Sequence, residues 1–341
     1  MHRRCRAPRS SSIPGARAAL PLAFALALGT AAAAAAQEGA TESAFGRLSE
    51  SAGLKATGAF PFDYQHLAFR AGRGDSVDLW SAASVHAGRV RGVWQGGWRY
   101  SLGIRLELYD GEELVATSSS RSDHTLSRHV PPTTSDGFPL QTVVRVEPGE
   151  YRYRLRVTDF NWPDDRSVNE KSGTVTVPPF DVSGPVVSSI AIAADSGGTW
   201  TPAPDVELKL NAARIVRPTA RPYIYFEVYG LTPGASYRGE VRLVSTWASR
   251  GKGEDFRGEY RPFQLQYRGT TPENPAEPVR STLRLDLSRT EAGPYDVTVK
   301  VTDLSTGESS TTRRAHLKVQ SPGEMRPIVP VREVNPGSSR R

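Results

Sequence analysis

The chain has 341 residues and a formal net charge of +7, from 43 Lys and Arg against 36 Asp and Glu, with one cysteine. That cysteine, Cys5, and five arginines fall within the first 36 residues, so the remainder holds 38 basic against 36 acidic residues, a net of +2, and no cysteine. Downstream of residue 36 this excludes disulfides, cysteine-ligated metal and a thiol nucleophile. It also leaves no positive excess that would argue for nucleic acid.

The first segment, 1–36, reads as a secretory signal peptide. Arg3, Arg4, Arg6 and Arg9 form a charged start, an apolar run follows from Ala18 to about Leu28, and the alanines to Ala36 offer small-residue cleavage sites before Gln37. The apolar run is short for a membrane span, so a retained anchor is the weaker alternative, and no transmembrane span is predicted after cleavage. The protein is therefore expected to be exported to the periplasm, the cell envelope or the medium. Residues 37–58 are small, polar and Gly/Ala-rich and read as a linker, with a short helix around Glu42–Leu54 as the alternative.

A first β domain is predicted over 59–180. His66–Arg70 and Ser76–Val85 read as strands around a turn at Arg73-Gly74-Asp75; a hairpin turn accounts for that tripeptide better than cell adhesion does. Trp94 and Trp98 flank a turn at Gln95-Gly96-Gly97. Tyr100–Tyr109 alternates Leu102, Ile104, Leu106 and Leu108 against polar partners, and Asp110-Gly111 is a hairpin signal with a return strand starting at Leu114. Ser118–Gly137 reads as a long polar loop, and Leu140–Val146 as a strand. Then comes Glu147-Pro148-Gly149-Glu150-Tyr151, followed by alternation to Asp159 with Tyr151, Tyr153, Leu155 and Val157 inward. Gly173–Val177 closes the domain, and Pro178-Pro179 marks its end.

A second domain is predicted over 184–320, with strands at Val186–Ala193, Val206–Leu210, Tyr223–Tyr229, Tyr237–Val244, Gln264–Tyr267, Thr282–Leu287 and Arg314–Val319. Gly197–Pro204 reads as a turn, and Arg250–Gly258 as a loop. Glu291-Ala292-Gly293-Pro294-Tyr295, leading to Thr302-Asp303, repeats the first domain's motif one domain length later. Ser76–Val85 and Pro222–Leu231 fall at nearly the same offset. Residues 321–341 read as a flexible tail. Short strands, frequent turns and no long helical period predict an all-β chain of two tandem immunoglobulin/fibronectin-III-like β-sandwich domains after the signal peptide.

Val187-Ser188-Ser189-Ile190-Ala191-Ile192-Ala193 and Pro222-Tyr223-Ile224-Tyr225-Phe226-Glu227-Val228-Tyr229-Gly230-Leu231 carry a family likeness. They resemble the β region that accompanies the GWxTD domain in secreted bacterial proteins: a serine-led apolar strand, then a tyrosine-rich strand ending in Glu-x-Tyr-x-Leu. The likeness spans roughly Phe62 to Val319, and the GWxTD signature itself is absent. Trp200-Thr201-Pro202 is at best an echo of it in another place. The resemblance implies a location and an architecture rather than a reaction.

Candidate sites are few. Asp123, His124 and His129 could hold zinc or nickel, but their spacing matches no closed site and a solvated loop is the better reading. Asp159, Asn161, Asp164 and Asp165 offer oxygen ligands, but without the Gly and distal Glu of a calcium loop an Asx-rich turn is favoured. No metal or cofactor is predicted. In Tyr223–Tyr229, if Ile224, Phe226 and Val228 face the core, then Tyr223, Tyr225, Glu227 and Tyr229 lie outside as a binding surface for a sugar or a protein. The alternative is that they pack on the first domain or under the Arg250–Gly258 loop. Trp94 and Trp98 form a second exposed-aromatic candidate. Three functions are in view. The leading one is a non-enzymatic binding or scaffold protein with an envelope or secreted partner. A carbohydrate-binding accessory module using the exposed aromatics comes next, and then a hydrolase with a site in the Ser118–Gly137 loop.

Overall fold

The computed structural model describes residues 60–72, 74–130, 137–162, 167–246 and 263–320. The signal, linker and tail assignments lie outside the described residues, as do Arg73, Asp164, Asp165 and the Arg250–Gly258 segment. The named elements are strands apart from one 3-10 turn, Ala87–Arg89, and their pairings are antiparallel except for one short parallel pair. No helix among the described residues is long and apolar enough to cross a membrane.

The first sandwich uses β1 (Phe62–Arg70), β2 (Val77–His86), β3 (Val93–Trp94), β4 (Trp98–Asp110), β5 (Glu113–Leu126), β6 (Gly137–Val146), β7 (Gly149–Asp159) and β8 (Val168–Val177). One sheet runs β1-β2-β6. In the other, β4 pairs with β5 on one edge and with β3 and β7 on the other, and β8 follows β7. The second sandwich uses β9 (Val186–Val187), β10 (Ala191–Ala203), β11 (Val206–Leu210), β12 (Ile215–Val216), β13 (Tyr223–Tyr229), β14 (Ser236–Ser245), β15 (Phe263–Thr270), β16 (Val279–Arg284), β17 (Gly293–Asp303) and β18 (Arg313–Val319). Its sheets run β11-β10-β13-β16, with β9 on β13, and β12-β18-β17-β14-β15.

The two sandwiches repeat one topology. The order β1-β2-β6 matches β10-β13-β16, and β5-β4-β7-β8 matches β15-β14-β17-β18. The repeated sequence motif occupies β7 and β17, the same place in each. Tyr151 Oη donates to the Glu147 carbonyl at 3.0 Å, and Tyr295 Oη donates to the Glu291 carbonyl at 2.9 Å. This ring-to-upstream-backbone bond is the tyrosine corner of Greek-key sandwiches: it fixes how the chain enters the strand. The repeated aspartates also do the same job. Asp159 accepts the amides of Arg91 (2.7 Å) and Asn161 (3.0 Å), and Asp303 accepts those of Thr232 (2.7 Å) and Ser305 (2.8 Å). Each therefore caps its own turn and pins the loop that leads into β4 or β14. Electrostatically they differ. Burial raises the Asp159 carboxyl pKa. At Asp303 burial pushes the same way, but the Ser305 hydroxyl and the Thr232 and Ser305 amides outweigh it and hold the group well below the usual carboxylate range.

Each sandwich has its own core. Leu79, Leu102, Leu106 and Leu155 lie in the first, and Ile192, Phe226, Val241 and Val299 in the second. A third core joins them. Leu67, Phe69 and Ala82, on the far face of β1-β2-β6, pack on Ala191, Ala193, Trp200, Leu208 and Tyr225 of β10, β11 and β13. Small alanines from both sheets leave room for Trp200 and Tyr225, both wholly buried, with rings 5.5 Å apart. The result is a stack of four sheets with three apolar layers between them. Polar bonds seal the rim of the third layer. Ser189 Oγ accepts from the Ala68 amide (2.9 Å), the Ser189 amide donates to Ala68 O (3.1 Å), and Arg70 Nη2 donates to Ala276 O (2.9 Å).

Three sequence assignments are corrected. Gly197–Pro204 is not a turn: β10 runs through to Ala203, and its register shifts against β11 let Trp200 turn into the third core. Ser118–Leu126 is not loop but the outer half of β5, paired with β4 residue by residue from Trp98↔Leu126 to Leu106↔Ser118. Its Ser and Thr side chains made it look irregular, yet β4 supplies the hydrogen-bonding partner. Thr282–Leu287 starts earlier and ends sooner as a strand, at Val279–Arg284, although Leu285 and Leu287 are buried.

Candidate functional site

The Tyr223–Tyr229 strand is β13, as predicted, but its tyrosine face is not an open surface. Tyr225 is 0% exposed, Tyr229 2% and Glu227 6%, and Tyr223 is partly buried against the third core. The reason is that a four-sheet stack covers both faces of β13: Ile224, Phe226 and Val228 meet the second core, and the tyrosines meet the first sandwich. Glu227 is the polar centre of that contact. Its Oε1 accepts from Tyr225 Oη at 2.5 Å and its Oε2 from Tyr229 Oη at 2.6 Å. Tyr229 Oη in turn accepts the Arg70 amide at 2.9 Å, and the Arg70 guanidinium lies 4.6 Å over the Tyr229 ring. Burial and the neighbouring carboxylate raise both phenol pKa values, so the tyrosines remain donors. Tyr225 and Tyr229 reach the first sandwich at Phe69 and Arg70, and Glu227 fixes their hydroxyls from within β13; the geometry leaves a sugar ring no access to them.

Trp94 and Trp98 are placed as a surface feature. Gly96, at φ +71°, makes the tight β3–β4 turn, and the Gln95 amide donates to Gly97 O at 2.8 Å. Trp98 lies partly buried against the first core, while Trp94 is 59% exposed and meets it edge-on at 5.7 Å. The His129 ring packs on Trp98 at 4.4 Å. Sequence reasoning missed the rest of this end of the sandwich. The Arg91 guanidinium lies 5.4 Å from the Trp162 ring and that of Arg121 lies 4.6 Å from exposed Phe160. Asn161 Nδ2 ties the cluster together, donating to Arg91 O (2.7 Å) and Arg99 O (3.0 Å). The available signal was Phe160-Asn161-Trp162 following the repeated Asp, where the second copy has Leu304-Ser305-Thr306.

The metal candidates do not converge. Asp123 faces Arg121 (3.5 Å), His124 stacks on Phe138 (4.6 Å) and bonds Ser122 (3.0 Å), and His129 is against Trp98. Among the described residues no group of three potential metal-ligating side chains is assembled. Asp159 spends its carboxylate on backbone amides, as above.

No family model matches the chain, and comparison with curated proteins gives no match. Among solved structures the chain is similar to red sea bream transglutaminase, at 10% identity and a TM-score of 0.21, covering 77% of this chain and 31% of that one. It is also similar to Escherichia coli alpha-2-macroglobulin activated by porcine elastase, at 12% identity and a TM-score of 0.25, covering 77% and 24%. The chain thus spans less than a third of the length of either, and at these scores neither similarity bears on function.

Proposed function

We propose that this chain is an exported, non-catalytic binding or scaffold protein whose partner is an envelope or secreted protein. One observation carries the reading: the third core, centred on Trp200, Tyr225 and Phe69, joins the two sandwiches into one stack of four sheets. A large apolar contact of this kind holds domains in a fixed relation, as a scaffold requires. The GWxTD-associated likeness of β9, β10 and β13 supports export as the setting. In-cell crosslinking of the exported protein, with adducts identified by mass spectrometry, tests this. A discrete envelope or secreted partner is expected; retention of the protein in the cytoplasm, or the absence of any discrete adduct, overturns it.

Exposed Trp94 favours a second reading, carbohydrate binding at the Trp94–Trp98 end. A flat indole edge-packed on a fixed neighbour offers apolar area to a sugar face at little ordering cost. Trp94→Ala should abolish retention on a polysaccharide column while leaving the melting curve in place. Retention unchanged in that variant, or none by the wild type on any glycan, excludes it.

A further inference from the structure

Because the two sandwiches share one topology, their outer faces can be compared strand by strand. On β4, β7 and β8 three arginines have carboxylate partners, while Arg99 and Arg152 bond the Gln95 side chain and the Gly111 carbonyl. Arg105 pairs with Glu107 at 2.9 Å, and Glu170 takes both Arg154 (3.3 Å) and Arg156 (3.1 Å). The corresponding face of β14, β15, β17 and β18 is built differently. Its register sets Arg238 between Arg268 and Thr302, then Glu240 between Gln266 and Lys300. Next comes Arg242 between Gln264 and Thr298, with Arg314 beyond; then His316 lies opposite Asp296 and Lys318 opposite Pro294. Six Lys and Arg side chains, with His316, share this face with two acidic ones, and both acids are engaged. Glu240 accepts from Arg242 Nε at 2.7 Å and from Gln264, and Asp296 bonds His316 at 3.3 Å. At the same end as Arg238, Glu273 lies against Gly234, past the start of β14.

Arg238 and Arg268 stand directly opposite one another, and neither has an ion-pair or hydrogen-bond partner among the described residues. Directly opposed cross-strand side chains have Cβ atoms roughly 5 Å apart, and like charges there repel. A bound anion would relieve that repulsion, and a guanidinium fork matches a carboxylate or sulfate. We infer that this face binds an anionic polysaccharide, with the Arg238–Arg268 corner as its principal contact. The inference goes beyond the scaffold reading, adding a ligand class and a face that neither proposed function names.

Three observations choose the polymer. From the Arg238 row to the Lys318 row the cations extend over four two-residue steps, about 27 Å at strand rise, which suits a chain of repeated anions better than a single small one. Between them Gln264, Gln266, Thr298 and Thr302 supply neutral donors and acceptors that suit sugar hydroxyls. The outward residues of these rows include no Phe, Tyr or Trp, the side chains on which single-stranded nucleic acid most often stacks and protein interfaces anchor.

The test compares charge-matched variants of the full chain on heparin, polygalacturonate and neutral dextran across a salt series. The wild type should bind the two acidic glycans, with affinity falling steeply as salt rises, and should ignore dextran. Arg238→Gln with Arg268→Gln should lower affinity about tenfold or more and reduce the salt slope by about two, by analogy with phosphate contacts. Arg105→Gln with Arg156→Gln, removing equal charge from the first sandwich, should change affinity less than about twofold. Equal effects of the two pairs overturn the inference, as does binding of poly-glutamate, oligo-dT or phosphatidylglycerol vesicles as tight as that of heparin. Unchanged melting curves exclude misfolding as the cause. If the Arg238 pair has no effect while a discrete envelope adduct is still recovered, the glycan inference fails and the scaffold reading stands.

Discussion

Removing the Glu227 carboxylate should damage the joint between the sandwiches, and its size can be worked from the contacts. Glu227 is 6% exposed and accepts two phenol protons, at 2.5 and 2.6 Å, with Arg280 3.8 Å away. Hydrogen bonds to a charged acceptor contribute about 1.5–3 kcal/mol each, and Glu227→Ala strands both hydroxyls. Relief of the carboxylate's own desolvation offsets part of this, leaving a loss of about 3–5 kcal/mol. For a chain of this size that lowers the melting temperature by roughly 10 °C. Tyr225→Phe, which keeps the ring and deletes one donor, should cost about 1–2 kcal/mol. Urea unfolding followed by tryptophan fluorescence is the assay, since Trp200 lies 5.5 Å from the Tyr225 ring and reports on this layer. A loss below about 1 kcal/mol for Glu227→Ala would refute the reasoning and return Glu227 to the list of ligand-facing candidates.

Three further predictions follow from particular contacts. Burial, aided by the Arg214 charge, lowers the His66 pKa from 6.5 to about 4, so the folded protein prefers the neutral ring. Stability tied to His66 should be full above pH 6.5 and decline as pH falls toward 4, by up to about 3 kcal/mol; His66→Asn should flatten that slope in urea midpoints, and an unchanged slope refutes the assignment. Tyr151→Phe and Tyr295→Phe should each cost about 1 kcal/mol, because each deletes one bond to an upstream carbonyl; a loss at only one of them would show the two corners are not equivalent. Gly230 sits at φ +70° with the Gly184 carbonyl where a Cβ would go, so Gly230→Ala should cost more than the roughly 1–2 kcal/mol of a left-handed alanine, read by thermal melting; a smaller loss would mean the Gly184 segment gives way freely.

The sequence made the strands legible wherever one face is wet. Tyr100–Tyr109 and the two copies of the motif alternate cleanly, and their register followed from that alternation alone. What stayed hidden was how the sandwiches meet. The period of two in Tyr223–Tyr229 separates two faces but does not say that both are covered. The signal for that lay elsewhere, in consecutive apolar residues at Leu67-Ala68-Phe69 and Ala191-Ile192-Ala193, the mark of strands buried on both sides. Trp200 was obscured by the glycines before it, which serve a bulge rather than a turn. The Ser/Thr-rich half of β5 read as loop because composition there resembles irregular chain, whereas its pairing is decided by β4. The Trp94–Trp98 turn was legible from Gly-Gly spacing; Trp162 and Phe160 were not tied to it, because only the fold brings the turn after β7 to that end. The opposed arginines were invisible for a related reason: residues 238 and 268 meet only through the β14–β15 register.

The account rests on two sandwiches that move as one body. Spin labels at Ser172→Cys and Gln266→Cys, in a Cys5→Ser background, would sit on the outer faces at the two ends of the stack, both exposed. Pulsed dipolar spectroscopy should give one narrow distance. A broad or two-peaked distribution would show that the third core does not hold, and would contradict the account.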